Sequence, residues 1–506
     1  MLSSIPLPHL LSPILLLTTS IFLVTSVFYL LFRCFYNLFL HPLRSYPGPL
    51  LWRISDLPFS YSVFRGTAAI RVAELHRQYG PELRTCPNRL SFTDPQAIKD
   101  VLAHVPGKPE FAKETMTLPP NGVASILAAR KDNHARYRRL LAHAFSEKGL
   151  RDQESHILPH VNLLIDRLGE KAGVGESTDM TAWYNMVTFD VIGDLGFGES
   201  FHSLQNRSLH EWIPAIAGAV KFVHMTSVLR QQGLGFLERF FVPQVVHDMR
   251  RRNYSYAGDR LEQRMELGGA RGDFWDRIII KSVDDNKAGE GMSKPEMLSN
   301  AAVLVLGGSE TSSTALSGAT YFLLTNPAAK AKLTTEIRST FKSSEDITLF
   351  SVSSLKYLLA VLEETMRLYP PVPTQTARIT PPGGGIVGGK YLPEGTIIHP
   401  NHVAVQTSPQ NFHAPHTFLP ERWLDAAAAE NDNKAAFAPF GLGTRNCIGR
   451  TLAYAEMRLI LAKVLWHFDL EMDGGRMAGT GEWLEQLSWP IWERKAVWVR
   501  LRAVER

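Results

Sequence analysis

Cysteine is scarce in this chain: Cys34, Cys86 and Cys447 are the only three in 506 residues. An odd, sparse set excludes a disulfide framework and favours a reducing compartment. The three lack zinc spacing, and no C-x-x-C-H haem-attachment motif occurs. Walker loops, H-E-x-x-H helices and G-x-S-x-G elbows are missing too, which removes P-loop, zincin and α/β-hydrolase chemistry. Gly383-Gly-Gly385-Ile-Val-Gly388 fits G-x-G-x-x-G, but a dinucleotide site needs a strand before it and a helix after it. Pro381-Pro382 precede the run and Tyr391-Leu-Pro-Glu-Gly395 follow, so it reads as a glycine-rich hairpin. The net charge is only +5, with no concentrated basic stripe, so no nucleic-acid partner is expected. Hydrophobic residues at 45% and charged residues at 20% exclude a disordered chain, a collagen and a polytopic transporter.

Charge is also absent from Met1 to Phe32. Within that stretch, Leu10–Phe32 is dominated by Leu, Ile, Val, Phe and Tyr. Twenty-three helical residues span roughly 34 Å, enough for a hydrocarbon core of about 30 Å. A cleaved signal peptide fits poorly, because there is no positive n-region and no small-x-small site follows. Arg33, Arg44 and Arg53 follow the run and nothing positive precedes it, which places the body of the protein in the cytosol. The sequons at Asn206 and Asn253 are then inert. Residues 1–32 are read as tail and anchor, and 33–50 as a proline-rich hinge around Tyr46-Pro-Gly-Pro49.

Residues 51–506 show no second linker, no repeat and no low-complexity tract longer than Ala426–Ala429. They are read as one large domain, mainly α with a small β region. Apolar periodicity predicts helices over Ile70–Tyr79, Asp132–Phe145, Thr181–Leu195, Pro295–Leu324, Ala328–Phe341, Ser354–Leu368 and Arg450–Phe468. Between Pro370 and Pro400, proline and glycine thicken and short β-rich runs such as Thr396–His399 follow.

The informative stretch is Phe440-Gly-Leu-Gly443-Thr-Arg445-Asn-Cys447-Ile-Gly449. A lone cysteine is usually a small buried hydrophobe. Here three glycines strip side chains from the backbone around it, allowing close approach to a flat ligand. Arg445, two residues away, is a fixed cation that favours a thiolate. Backbone N–H groups of such a nest tune the sulfur. The pattern F-x-x-G-x-R-x-C-x-G resembles the haem-ligand loop of the cytochrome P-450 family, with every fixed position matched. The resemblance implies that fold, a haem b cofactor, and Cys447 as the axial iron ligand, with Phe440 and Arg445 among the cofactor-contacting residues.

Four other segments are similar to the family's motifs, in its order along the chain. Glu364-Thr-Met-Arg367 is E-x-x-R, and Pro420-Glu-Arg422-Trp423 looks like the second arginine motif. Alone, E-x-x-R reads as a surface pair worth at most about 1 kcal/mol. The resemblance implies instead a buried cluster of Glu364, Arg367 and Arg422. Gly307-Gly-Ser-Glu310-Thr311, within a long apolar helix, resembles the family's oxygen-binding groove. Glycine and hydroxyl residues there favour a local opening of the helix. By that resemblance Thr311 would hydrogen-bond bound dioxygen, and Glu310 would relay protons with water. His134-Ala-Arg-Tyr-Arg138 is similar to the family's W-x-x-x-R, with His134 replacing the tryptophan. Arg138, Arg378, Arg445 and, less canonically, His134 would then meet the haem propionates, which arginine suits by its fixed charge and fork.

The implied chemistry is monooxygenation: oxygen is activated at a thiolate-bound iron and inserted into a C–H bond. No flavin domain is fused, since only about fifty-five residues follow the cysteine loop. Electrons are expected from NADPH–cytochrome P-450 reductase, docked on a basic face including Arg136, Arg139 and Arg450. Expected partners also include O2, membrane lipid and a hydrophobic small molecule, and the expected location is the endoplasmic reticulum membrane. Candidate pocket segments are Val105–Val123, Phe201–Val245, the helix before Gly307, and Val372–Ala377. Phe189–Phe201 looks similar to fungal microsomal members that tailor secondary metabolites. A member that rearranges or dehydrates its substrate without oxygen insertion, and a haem-thiolate sensor, are the other readings.

Overall fold

A capping box starts the longest helix of the body. Ser293 and Glu296 satisfy each other's backbone N–H groups, Pro295 sits in the first turn, and the helix runs Lys294–Thr325. Most of its residues are buried. It packs along Met180–Phe197, which is apolar on nearly every face and correspondingly buried almost throughout. A methyl at Gly308 would collide with the Ile192 side chain, so glycine sets the close approach of these two helices. Arg450–His467 and Lys356–Leu368 complete the core around them. The computed structural model describes residues 8–103, 107, 109–114, 118–268, 271–276, 278–279 and 291–505. Val105, Pro106, Lys108, Thr115, Met116 and Thr117 of the expected pocket wall, and Met1–Leu7 of the tail, lie outside them.

The fold is mainly helical with small sheets. A five-stranded sheet has the order Glu82–Cys86, Arg89–Phe92, Ile397–Ile398, Arg378–Ile379, Ala112–Lys113. It therefore joins chain segments separated by some three hundred positions. Its last pair is antiparallel and sets Lys113 opposite Arg378. A second sheet joins Ser177–Asp179, Trp498–Ala503 and Phe468–Met472. The glycine-rich run forms a hairpin, Gly385–Val387 against Lys390–Leu392.

The N-terminal helix covers Pro8–Phe35 and continues into a π-helical turn, Tyr36–Leu40. Leu15–Leu40 is long and apolar enough to cross a membrane, and its apolar side chains are exposed. By length and composition Trp212–Gln231 passes the same test. Residues 33–50 differ from a free hinge. Leu43 and Tyr46 are buried in a core cluster with Phe92, and the Arg84 amide donates to the Pro47 carbonyl at 2.7 Å. The Asn37 amide donates to the Ile54 carbonyl at 2.7 Å, and the Arg84 guanidinium to the Asn37 carbonyl at 2.8 Å. Two prolines that restrict the chain have become a strap fastened to the first strand.

Candidate functional site

Cys447 closes a tight loop. Its amide donates to the Phe440 carbonyl at 2.8 Å, across a short 3-10 turn at Gly443–Arg445. Gly443 has φ +74°, and a methyl there would strike the Leu102 carbonyl, so only glycine permits this approach. Cys447 is the exposed one of the three free cysteines; Cys86 is buried and Cys34 intermediate. Its sulfur lies among protein atoms although the residue as a whole is exposed. Burial raises the thiol pKa, and the Gly449 backbone, Arg138 and Arg450 oppose that rise. The cations at the sulfur are thus Arg138 and Arg450. Arg445, expected to favour the thiolate, turns away: it binds Glu110 at 2.5 Å and the Ala129 carbonyl at 2.9 Å.

Arg445 instead joins a crowd of like charges. Arg378 is buried, and its guanidinium donates to the Thr376 carbonyl at 2.8 Å, with no carboxylate bonded to it among the described residues. Its pKa falls to about 10, first through burial and then through Arg445. Lys113, across the strand pair, falls to about 7 through burial, Arg378 and Arg445. Buried His134 is held down at about 4 by burial, then by Arg445, Lys113 and Arg138. Arg138 holds Asn446, at 2.7 Å to its carbonyl and 2.5 Å to its side-chain oxygen. Glu110 is the carboxylate that offsets this group. Several cations held beside one carboxylate, with depressed pKa values, mark a place that lacks anionic charge.

The central helix has an opening of its own. Gly307 is exposed in the middle of a helix otherwise largely buried, and a methyl added there would meet nothing within 4 Å. Thr311, one turn on and partly open, donates its hydroxyl to the Gly307 carbonyl at 2.7 Å. Glu310 does not share that opening. It is buried, with its carboxylate bonded to Arg494 at 2.6 Å and to Asn185 at 3.2 Å. Next to it, Ser312 reaches Glu456 on the helix after the cysteine loop. Burial pushes the Glu456 carboxyl up to about 8, Ser312 opposes that rise, and Oε1 has no hydrogen-bond partner among the described residues.

Glu364, Arg367 and Arg422 meet with no exposed side-chain surface. Arg367 grips Glu364 through two nitrogens, at 2.9 and 2.8 Å, and spends the rest of its fork on the carbonyls of Gln406, Pro415 and Thr417. Arg422 binds Glu364 at 3.0 Å and also Asp432. The Trp423 indole donates to Glu364 at 3.0 Å. Motif reading missed Asp432, Lys113, Glu110 and Arg494, each an isolated residue that only the fold brings into place. Arg136, expected on a docking face, is engaged with Glu296 at 2.5 Å, whereas Arg139 and Arg450 stay exposed.

These residues fit a haem. An open thiol, a cation-rich wall suited to two carboxylates, and a helix with a side-chain-free gap are the donors and the space that such a group needs.

Residues 47–490 match the family model described as cytochrome P-450. The chain is 48% identical over 470 residues to versicolorin B desaturase of Aspergillus parasiticus, covering 92% of this chain and 93% of that one. It is 47% identical over 467 residues to averantin hydroxylase of Dothistroma septosporum, covering 92% and 87%. It is 44% identical over 468 residues to the cytochrome P-450 monooxygenase stcF of Emericella nidulans, covering 92% and 95%.

Proposed function

Since the chain belongs to the cytochrome P-450 family of monooxygenases, we propose that it oxidises a C–H bond of a hydrophobic fungal aromatic polyketide. The family implies a haem-thiolate cofactor, here haem b. The exposed thiol of Cys447 beside the cation-rich wall is the observation that carries this reading.

When bound, the haem supplies oxygen activation, with electron density pushed from the thiolate favouring O–O cleavage. Cys447 would hold the iron. Arg138, Arg378, Arg445, Lys113 and neutral His134 would face the propionates, and Phe440 would support the loop. Thr311 presents a hydroxyl beside the exposed Gly307, suited to orient a proton toward oxygen. Glu310 sits behind it, so a proton from Glu310 requires Arg494 to loosen its hold.

Both a hydroxylase and a desaturase are among the relatives. Each outcome begins with loss of hydrogen from a C–H bond. Hydroxylation ends with one oxygen atom gained; desaturation ends with a second hydrogen lost and both oxygen atoms leaving as water. NADPH supplies two electrons in either case. We assign those electrons to NADPH–cytochrome P-450 reductase, docking near Arg139 and Arg450, and place the chain in the endoplasmic reticulum membrane by its N-terminal helix. Residues 1–32 anchor, 33–50 connect and 51–506 form the catalytic domain.

Cys447→Ser tests the assignment. The ferrous carbon-monoxide complex should lose its red-shifted thiolate Soret band and all turnover with reductase and NADPH. A retained band would remove Cys447 as ligand. Product mass and oxygen-18 content then separate hydroxylation from desaturation.

A further inference from the structure

Away from the cation-rich wall lies a second buried polar group that the reading above does not use. Arg89, on the strand Arg89–Phe92, is only 5% exposed. Its guanidinium lies over the Phe59 ring at 5.0 Å, and one terminal nitrogen bonds Glu114 at 3.0 Å. Its Nε–H has no partner among the described residues. A buried guanidinium N–H left unmet costs free energy unless something else accepts it.

Two imidazoles stand next to it. The His399 ring packs edge-on against the same Phe59, at 5.9 Å. One ring nitrogen bonds the Gln375 main chain. The Gln375 N–H is already given to the Pro400 carbonyl, so the partner is the Gln375 carbonyl and His399 donates. Being neutral, His399 keeps its second nitrogen as an acceptor. His224 lies on Trp212–Gln231, one turn before Val228, which packs on the Phe59 cluster. No hydrogen bond reaches its ring among the described residues. Burial and then Arg89 hold His224 at about 4 and His399 at about 3, so both are neutral.

The surroundings point to the substrate. Glu114, His224 and residues 375–377 come from three of the segments read as pocket walls. The Glu114 amide donates to the Ala377 carbonyl at 2.9 Å, beside Arg378. On the other side, the short helix Leu57–Phe64 turns Phe59 inward and exposes Leu57, Tyr61 and Phe64. The group therefore lies between an apolar outer face and the segments read as pocket walls.

Glu114 already neutralises Arg89, so a carboxylate or phosphate finds no surplus charge here. What is unmet is a donor from Arg89, an acceptor on His399, and a neutral His224 able to do either. We propose that Arg89, His224 and His399 form a polar reading station for the substrate, accepting a neutral phenol whose hydroxyl flanks an aryl carbonyl. The carbonyl takes the Arg89 N–H, and the hydroxyl gives its proton to an imidazole nitrogen. This proposal rests on the aromatic polyketide reading above.

The test titrates a hydroxyanthraquinone and its methyl ether into haem-loaded full-length protein, following the haem absorbance shift. The wild type should bind the phenol about tenfold or more tighter than the ether, since the ether cannot donate. His224→Phe should shrink that ratio to about threefold or less, and His224→Gln, which keeps hydrogen bonding, should restore part of it. The carbon-monoxide spectrum should be the same in all three. A ratio unchanged in His224→Phe, or no preference in the wild type, overturns the station and leaves the oxidation reading standing. If neither probe perturbs the wild-type haem, the aromatic substrate class falls and the station with it.

Discussion

Two groups of buried charge in this molecule use the same residue types to opposite ends. In the first, Arg367 and Arg422 are matched by Glu364 and Asp432, and none has exposed side-chain surface. The Arg367 fork is filled by Glu364 and three carbonyls. In the second, Arg138, Arg378, Arg445 and Lys113 gather around His134 with Glu110 opposing them, and Arg378, Lys113 and His134 are held below their ordinary pKa values. The first group is complete without a ligand and serves the fold. The second is held in tension by the fold and is relieved by an added anion. Charge balance, read residue by residue, separates a structural cluster from a binding site even where both are buried arginines.

The largest effect should come from breaking the balanced group. Arg367→Ala leaves two buried carboxylates, Glu364 and Asp432, to the single cation Arg422 and should cost about 3–5 kcal/mol, a large share of a typical domain's stability. Haem-to-protein ratio after purification should collapse, and Arg367→Lys should fail as well because a lysine cannot fill a planar fork. Wild-type occupancy in Arg367→Ala would reduce the cluster to a dispensable ion pair.

Removing a cation from the unbalanced group should behave in the reverse sense. Arg378→Leu should speed haem loss to an acceptor protein by about tenfold or more, while the apo-protein keeps or gains stability in urea. An apo-protein weakened as much as Arg367→Ala would erase the distinction between the two groups.

Glu456 is a third kind of buried charge, one avoided by protonation. Its folded pKa of about 8 stands above the ordinary 4.5. As pH rises through this window the unfolded chain gives up the proton first, so wild-type stability should fall from about pH 4.5 to about pH 8 and then level. The loss should be on the order of a few kcal/mol, and Glu456→Gln should flatten it, as read from urea midpoints at about pH 5 and about pH 9. An equal slope in the variant would mean that Glu456 is ionised in the fold. The smallest effect is expected at Lys113, already brought to about 7 by burial and then by Arg378 and Arg445. Lys113→Met should change haem retention less than Arg378→Leu, because it removes only part of a charge at neutral pH; the same transfer assay ranks the two.

Seven helices were legible from apolar period and agree with the structure within a few residues, as Ile70–Tyr79 does with Ala68–Tyr79. Glu147–Val174 was not, because Pro159 interrupts its pattern. Trp212–Gln231 was not, because its apolar residues are spread around the helix rather than striped. The five-stranded sheet escaped almost entirely: strands of two to five residues from distant segments carry little or no period. The same logic divides the site. Cys447, Arg445, Glu364, Arg367 and Arg422 sit in local motifs that can be seen as text. Asp432, Lys113 and Glu110 act only by folding next to those residues, and no spacing marks them.

The strap at residues 33–50 carries a further consequence. Because Asn37, Leu43, Tyr46 and Pro47 fasten the end of the N-terminal helix to the first strand, the helix is joined to the domain as a lever rather than a tether. A lever transmits angle. One residue inserted between Phe32 and Tyr36 would turn the preceding helix by about 100° about its axis and raise it by about 1.5 Å. Such an insertion leaves composition, length class and hydropathy almost untouched, yet it changes which side of the helix faces a given direction relative to the domain. The phase of this apolar helix, counted in residues, is thus a coordinate of its own: were the helix to cross a membrane, it would set which face of the domain the bilayer meets.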